Sequence, residues 1–280
     1  MIKLLGRNIL LFNIIFKYPV LTILLGPPVA LLNIAKNGIV TATDVMILFF
    51  QTLARFPLVF KNKDLTLKQM FAVGISSIPL VMVTSVFTGM VAAVQAEYQF
   101  RNFVPDKFIG TAVCKMVVIE LGPVLTALVM AGRVGSSLAA EIGSMKEKEE
   151  LDAMVVLDLD PLRYLAMPRL ISFMVMMPCL TIMSIALAIL GGLFVSVLAL
   201  DLTTYTYISG LKYFFSPMDI AAGLVKSFVF GIAICMMGYY HGISAGSGAR
   251  GVGVATMKVV VSACVLILIF DFLIALVFFS

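Results

Sequence analysis

The chain has 280 residues, 61% of them hydrophobic and 12% charged, with a mean hydropathy of +1.10. Soluble domains carry about 45–50% apolar residues, so these figures exclude one and define an integral membrane protein. The net charge of +5 comes from basic residues spread over short loops, a pattern that concerns membrane orientation and gives no nucleic-acid footprint.

The first segment, residues 8–26, is apolar apart from Lys17, but Pro19 and the pair Pro27-Pro28 interrupt it. Such a segment lies in the membrane interface or forms a sixth span, and the interruptions favour the interface. No signal-peptide pattern with a small-residue cleavage site is present, so this start is expected to be retained. Residues 1–70 are therefore read as an N-terminal interfacial, amphipathic helical region, and 71–280 as the transmembrane domain.

A spanning helix needs about 20 apolar residues. Five stretches qualify, at about 71–96, 108–132, 170–200, 220–240 and 259–280. The fold class is an all-α integral membrane protein with five transmembrane helices, the N-terminal segment and one short polar helix. The third span exceeds a ~30 Å bilayer core, so tilt or a bend near Pro178 is expected.

Glu120 lies ~18 Å along the second span from Phe108, near mid-membrane, where a carboxylate is costly and usually faces a cavity. Lys115 lies on a different face of that helix and is an imperfect partner. Pro123 removes a backbone donor and frees the carbonyl of Ile119, so the wall around Glu120, Leu121, Gly122, Pro123 and Leu125 is expected to be irregular and polar. Farther on, small residues recur at i and i+4 in two rows: Gly132, Ser136 and Ala140, and Gly135, Ala139 and Gly143. Such rows allow close helix contact, within the chain or across a dimer seam.

Between the second and third spans, residues 140–169 hold eleven charged side chains. A polar helix at about 144–155 is predicted there, begun by a Ser144/Glu147 capping box and supported by Lys146 and Glu150 at i,i+4. Leu151, Met154 and Val155 would offer an apolar patch to a soluble partner. In the fourth and fifth spans, Lys226 and Asp271 come to similar depth if the helices are antiparallel, and pairing would lower the cost of both. They are read as an intramembrane charge pair with either a structural or a gating role.

Lysine and arginine fall fifteen against three on the two sides of these spans; only Arg101, Lys107 and Lys212 lie on the poorer side. The positive-inside rule then puts the N-terminal region and the 133–169 loop in the cytoplasm and the C-terminus outside. Cys114, Cys179, Cys235 and Cys264 sit singly in apolar runs with one histidine in the chain, so disulfide, metal and clustered-residue enzyme readings have little support and buried thiols are expected. Gly246-Ser247-Gly248-Ala249-Arg250-Gly251 spells a dinucleotide fingerprint, but its neighbours are membrane helices and it is read as a turn. No G-x-x-x-x-G-K-[ST] phosphate loop occurs, so the chain does not supply ATPase activity by that chemistry.

The runs Glu120-Leu121-Gly122-Pro123-Val124, Ala131-Gly132-Arg133-Val134-Gly135 and Ala140-Glu141-Ile142-Gly143-Ser144-Met145 follow one another in order. With Asp160-Pro161-Leu162-Arg163, Gly191-Gly192, Lys226-Ser227 and Asp271-Phe272, they make the chain resemble the MlaE/YrbE family of ABC-transporter permeases over roughly 45–279. The resemblance implies a homodimer in the bacterial inner membrane with its C-terminus periplasmic. It implies cytoplasmic ABC ATPase subunits, an MCE-domain substrate-binding protein, and phospholipid as substrate. It implies no directly bound cofactor, ATP being used by the partner. It assigns Glu120 to the lipid cavity, and the segment with Glu141, Met145, Lys146, Glu149, Glu150, Leu151 and Met154, read above as a surface for a soluble partner, is expected to couple to the ATPase. Many relatives carry a basic residue where this chain has Ile119, which leaves the counter-charge of Glu120 to be found. The alternative class is an ion-coupled secondary transporter built on Glu120, Lys226 and Asp271.

Overall fold

Twenty apolar residues cannot leave their amides unpaired in lipid, so each long hydrophobic run closes its own hydrogen bonds as a helix. The computed structural model describes residues 38, 40–55, 63–100, 105, 107–213 and 216–279. Among them every regular element is helical, and five helical stretches are long and apolar enough to cross a membrane. The interfacial or sixth-span segment expected at residues 8–35 lies outside the described residues.

In chain order the helices are α1 (Val40–Leu53), α2 (Lys63–Val73), α3 (Ile78–Phe100), α4 (Lys107–Met116), α5 (Gly122–Met130), α6 (Ser136–Glu147), α7 (Glu150–Val156), α8 (Met167–Leu198), α9 (Thr204–Tyr213), α10 (Pro217–Ile243) and α11 (Gly248–Phe279). The spans are Lys63–Phe100, Lys107–Glu147, Leu162–Leu198, Pro217–Ile243 and Gly248–Phe279. Their number matches the sequence reading, while their ends run past the apolar cores. By packing, residues 49–280 form one compact unit.

Two helices organise the main unit. α8 packs on α3, α10 and α2, and α10 packs on α11, α8 and α6. α8 passes through Pro178 without interruption. Small residues let α3 and α8 cross closely: a Cβ on Gly89 would stand 1.7 Å from the Ala188 carbonyl oxygen, and one on Gly191 would stand 2.3 Å from that of Val86. At the same crossing the Ser85 and Ser184 hydroxyls share a 2.8 Å hydrogen bond. Here packing and hydroxyls, not hydrophobic exclusion, hold helices together.

α9, outside the spans, lies on α4, where Thr111 Oγ1 donates to the Gly210 carbonyl at 2.6 Å. Tyr207 is fully buried there and donates to the Ile189 carbonyl at 3.2 Å; burial raises its phenol above the ordinary value. Cys114 and Cys235 are buried, but Cys179 is exposed. The expectation of four buried thiols fails there because Cys179 falls on the face of α8 turned away from its neighbours.

Candidate functional site

The second span is not a continuous α-helix. It widens into π-helical turns at Val117–Leu121 and Ala131–Gly135, and the Gly122 amide reaches back to the Val117 carbonyl. Pro123, which has no amide to give, follows at the start of α5. The irregular wall expected around Glu120 is thus present, and one extra residue in the turn re-aims the side chains beside it.

That turn delivers Glu120 to a lysine on another span. Lys226 Nζ donates to Glu120 Oε2 at 2.6 Å and stands 2.7 Å from Asp271 Oδ1. The aligned hydrogen bond goes to Glu120; the approach to Asp271 is a close charge contact without hydrogen-bond alignment. The lysine side chain is 0% exposed, Asp271 13% and Glu120 47%. Three spans therefore meet through one enclosed cation and two carboxylates, a cluster with one excess negative charge. Lys226 lies ~14 Å from the start of α10 and Asp271 ~12 Å from the end of α11. Glu120 thus joins an ion pair and still keeps nearly half of its side chain accessible.

Lys115 is not its partner. It pairs with Asp219 at 2.5 Å, linking α4 to the first turn of α10. The counter-charge of Glu120 lies instead 106 positions away in the chain, and Ile119 needs no basic replacement. Leu121 turns the other way, onto the cluster formed by α3, α4, α8 and α9. Gly122 and Pro123 are buried, with room for a Cβ on Gly122 closed by Ile185, while Leu125 is half-buried. Of these five residues, only Glu120 carries a polar side chain, and it stays 47% exposed.

The two rows of small residues part company. A Cβ on Gly135 would meet Ile234 and Val259, and one on Gly143 would meet Ala245 and Val252. With fully buried Ala139, this row packs within the chain against α10 and α11. Gly132 has nothing within 4 Å of a built Cβ, and Ser136 and Ala140 are half-buried, so the other row faces outward.

The polar helix begins later than Ser144. The Ser144 carbonyl accepts from the Lys148 amide at 3.1 Å, which makes Ser144 part of the last turn of α6 and not a cap. The chain breaks at Glu149, whose φ of 60° is left-handed, and α7 starts at Glu150. Lys146 is drawn to the Ala245 carbonyl at 2.9 Å and away from Glu150; Lys148 stands 4.0 Å from Glu150 instead. On α7, Leu151 and Met154 are half-buried. The exposed apolar side chains are Val155 and Val156 and, just past the helix, Leu157 and Leu159; of these the sequence pattern points only to Val155, because the others follow the periodic positions. Met145 is half-buried.

Three further contacts frame this end. Glu141 holds Arg169 Nη2 at 2.5 Å. Arg55 Nε pairs with Asp160 Oδ2, and Asp160 Oδ1 accepts from the Leu162 amide at 3.0 Å, starting the third span. An arginine in the first turn of an apolar helix, next to Pro168, was the available signal for Arg169. Gly248, at φ +77°, opens α11 directly after the turn that leaves α10, so the motif joins two helices and no strand.

The family described as Permease MlaE matches residues 66–277. A probable ABC transporter permease of Rickettsia bellii is 40% identical over 229 residues, 82% of this chain and 87% of its own. One of Synechocystis is 38% identical over 219 residues, 78% and 83%. The intermembrane phospholipid transport system permease protein MlaE of Haemophilus influenzae is 33% identical over 234 residues, 83% and 90%. With a family match and relatives that span most of both chains, the chain that carries the Glu120–Lys226–Asp271 cluster belongs to the MlaE permease family of ABC-transporter permeases.

Proposed function

We propose that the chain is the membrane subunit of a transporter that moves phospholipids between the inner and outer membranes. It works as a homodimer with cytoplasmic ABC ATPase subunits and an MCE-domain substrate-binding protein. It binds no cofactor itself, and ATP is hydrolysed by the partner subunit. The distribution of lysine and arginine supports a cytoplasmic position for α7 and a periplasmic C-terminus.

The observation that carries this reading is Glu120, a carboxylate held at mid-span by a fully enclosed lysine yet 47% exposed. A polar group kept accessible at that depth has no structural need of exposure, and it suits contact with a headgroup entering an apolar wall. The exposed Val155–Leu157 surface suits docking into an ATPase groove, and the outward Gly132, Ser136 and Ala140 row suits a dimer seam.

Reconstituted vesicles test the reading through ATP-dependent transfer of a labelled phospholipid. Transfer should fall at least about tenfold in Glu120→Gln, the loss of one charge-assisted contact. Val156→Asp should leave membrane insertion intact and abolish co-purification of the ATPase. Transfer driven by an ion gradient without ATP would establish the secondary-transporter class instead.

A further inference from the structure

A second charged site lies near the end of the bundle that carries α7, where α2, α6 and α8 border a half-open cavity of about 250 Å³. Its polar lining includes Gln69, Ser76, Arg133, Ser137, Glu141 and Arg169. Arg133 follows Glu120 by thirteen positions, ~20 Å of helix, so this is a different place from the Lys226 cluster.

Arg169 is 3% exposed. Its Nη1 donates to the Leu165 carbonyl at 3.0 Å and its Nη2 to Glu141, but its Nε, also buried, has no hydrogen-bond partner among the described residues. Arg133 Nη1 is likewise buried without a partner, and Arg133 makes no ion pair among those residues. Two guanidinium groups thus face one carboxylate, leaving one excess positive charge and two buried donors. Donors of that kind are costly unless an acceptor meets them. Guanidinium forks match the tetrahedral oxygens of a phosphate better than any neutral ligand. At about 250 Å³ the half-open pocket has room for a phosphate group.

We propose that this cavity binds a phosphate-bearing anion, with Arg133 and Arg169 as its ligands and Glu141 holding Arg169 in place. The phosphate is either the phosphodiester of a lipid headgroup in the adjoining leaflet or free inorganic phosphate. The site stands on this geometry and does not depend on the transport reading.

The test places a photo-reactive phenylalanine analogue at Val134, which also lines the cavity, in the full chain within its complex. The complex sits in bilayers containing phosphatidylglycerol or, in parallel, the same diacylglycerol without phosphate. A phosphatidylglycerol adduct should form, with none from diacylglycerol, and should drop about tenfold in Arg133→Gln. Arg133 is partly exposed and unpaired, so that variant should fold; Arg169→Lys keeps the charge but loses the fork and should weaken the adduct as well. Arg250→Gln removes an equal charge elsewhere and should change nothing. If inorganic phosphate raises the melting temperature of the wild-type complex but not of Arg133→Gln, and competes with the adduct, free phosphate is the ligand; an adduct without that effect identifies the headgroup. Absence of both effects, an adduct undiminished in Arg133→Gln, or an equal loss in Arg250→Gln overturns the site. Transport with none of these signals would sink the anion site alone, and signals without transport would sink only the transporter reading.

Discussion

Lys226 and Arg169 are both enclosed cations, and each meets a glutamate that stays about half exposed, 47% for Glu120 and 52% for Glu141. Their surroundings carry opposite excess charge. Lys226 faces two carboxylates at mid-span, whereas Arg169 shares one carboxylate with the neighbourhood of Arg133. The same device, a buried cation anchoring a reachable glutamate, therefore yields a surplus of acceptors in one region and a surplus of donors in the other. Depth decides how severe an error in each would be, because an unpaired charge costs more near the middle of a bilayer than near its edge.

That contrast is tested most sharply by Lys226→Met, which strands Glu120 and Asp271 beside each other. Removing one partner of a buried charge cluster costs about 3–5 kcal/mol, so most of the folded protein should be lost in detergent unfolding assays. Adding Asp271→Asn should restore part of the loss; simple additivity in that cycle would show that the two groups act independently.

Arg169→Gln should be milder, about 1.5–3 kcal/mol, the value of a hydrogen bond to a charged group. Glu141 can turn to water when its partner goes, so adding Glu141→Gln should recover little. A loss equal to that of Lys226→Met, measured in the same assay, would erase the distinction between the two regions. The smallest effect belongs to Lys148→Ala. Its pair with Glu150 is 4.0 Å long with side chains 67% and 49% exposed, worth at most about 0.5 kcal/mol. A larger shift there would mean that α7 is held by its own charges and not left free for a partner.

The residues of these clusters differ in how readable they were. Lys226 and Asp271 could be matched in depth by counting from the ends of their helices, and the structure brings them to 2.7 Å. Glu120 could be placed at mid-span but not aimed, because the π turn at Val117–Leu121 rotates it relative to an ideal helix. Counting on an unbroken 3.6-residue period was therefore bound to miss its partner. Ser144 and Lys146 misled for a related reason. A capping pattern is local, and here the membrane helix simply runs on through it to Glu147, while the Ala245 carbonyl of a distant turn claims the lysine.

By itself the sequence determined the class, the five spans, their sidedness as an expectation and the family motifs, since lipid makes helix formation a matter of apolar length. Tertiary structure alone decided which charge meets which, that Gly135 and Gly143 face inward while Gly132 faces out, and that two arginines share a cavity with a single acid. These depend on the rotation of each helix about its own axis. Within lipid the apolar surface that would set that rotation is nearly uniform, so it is left to packing of small residues and to a few polar contacts between distant parts of the chain.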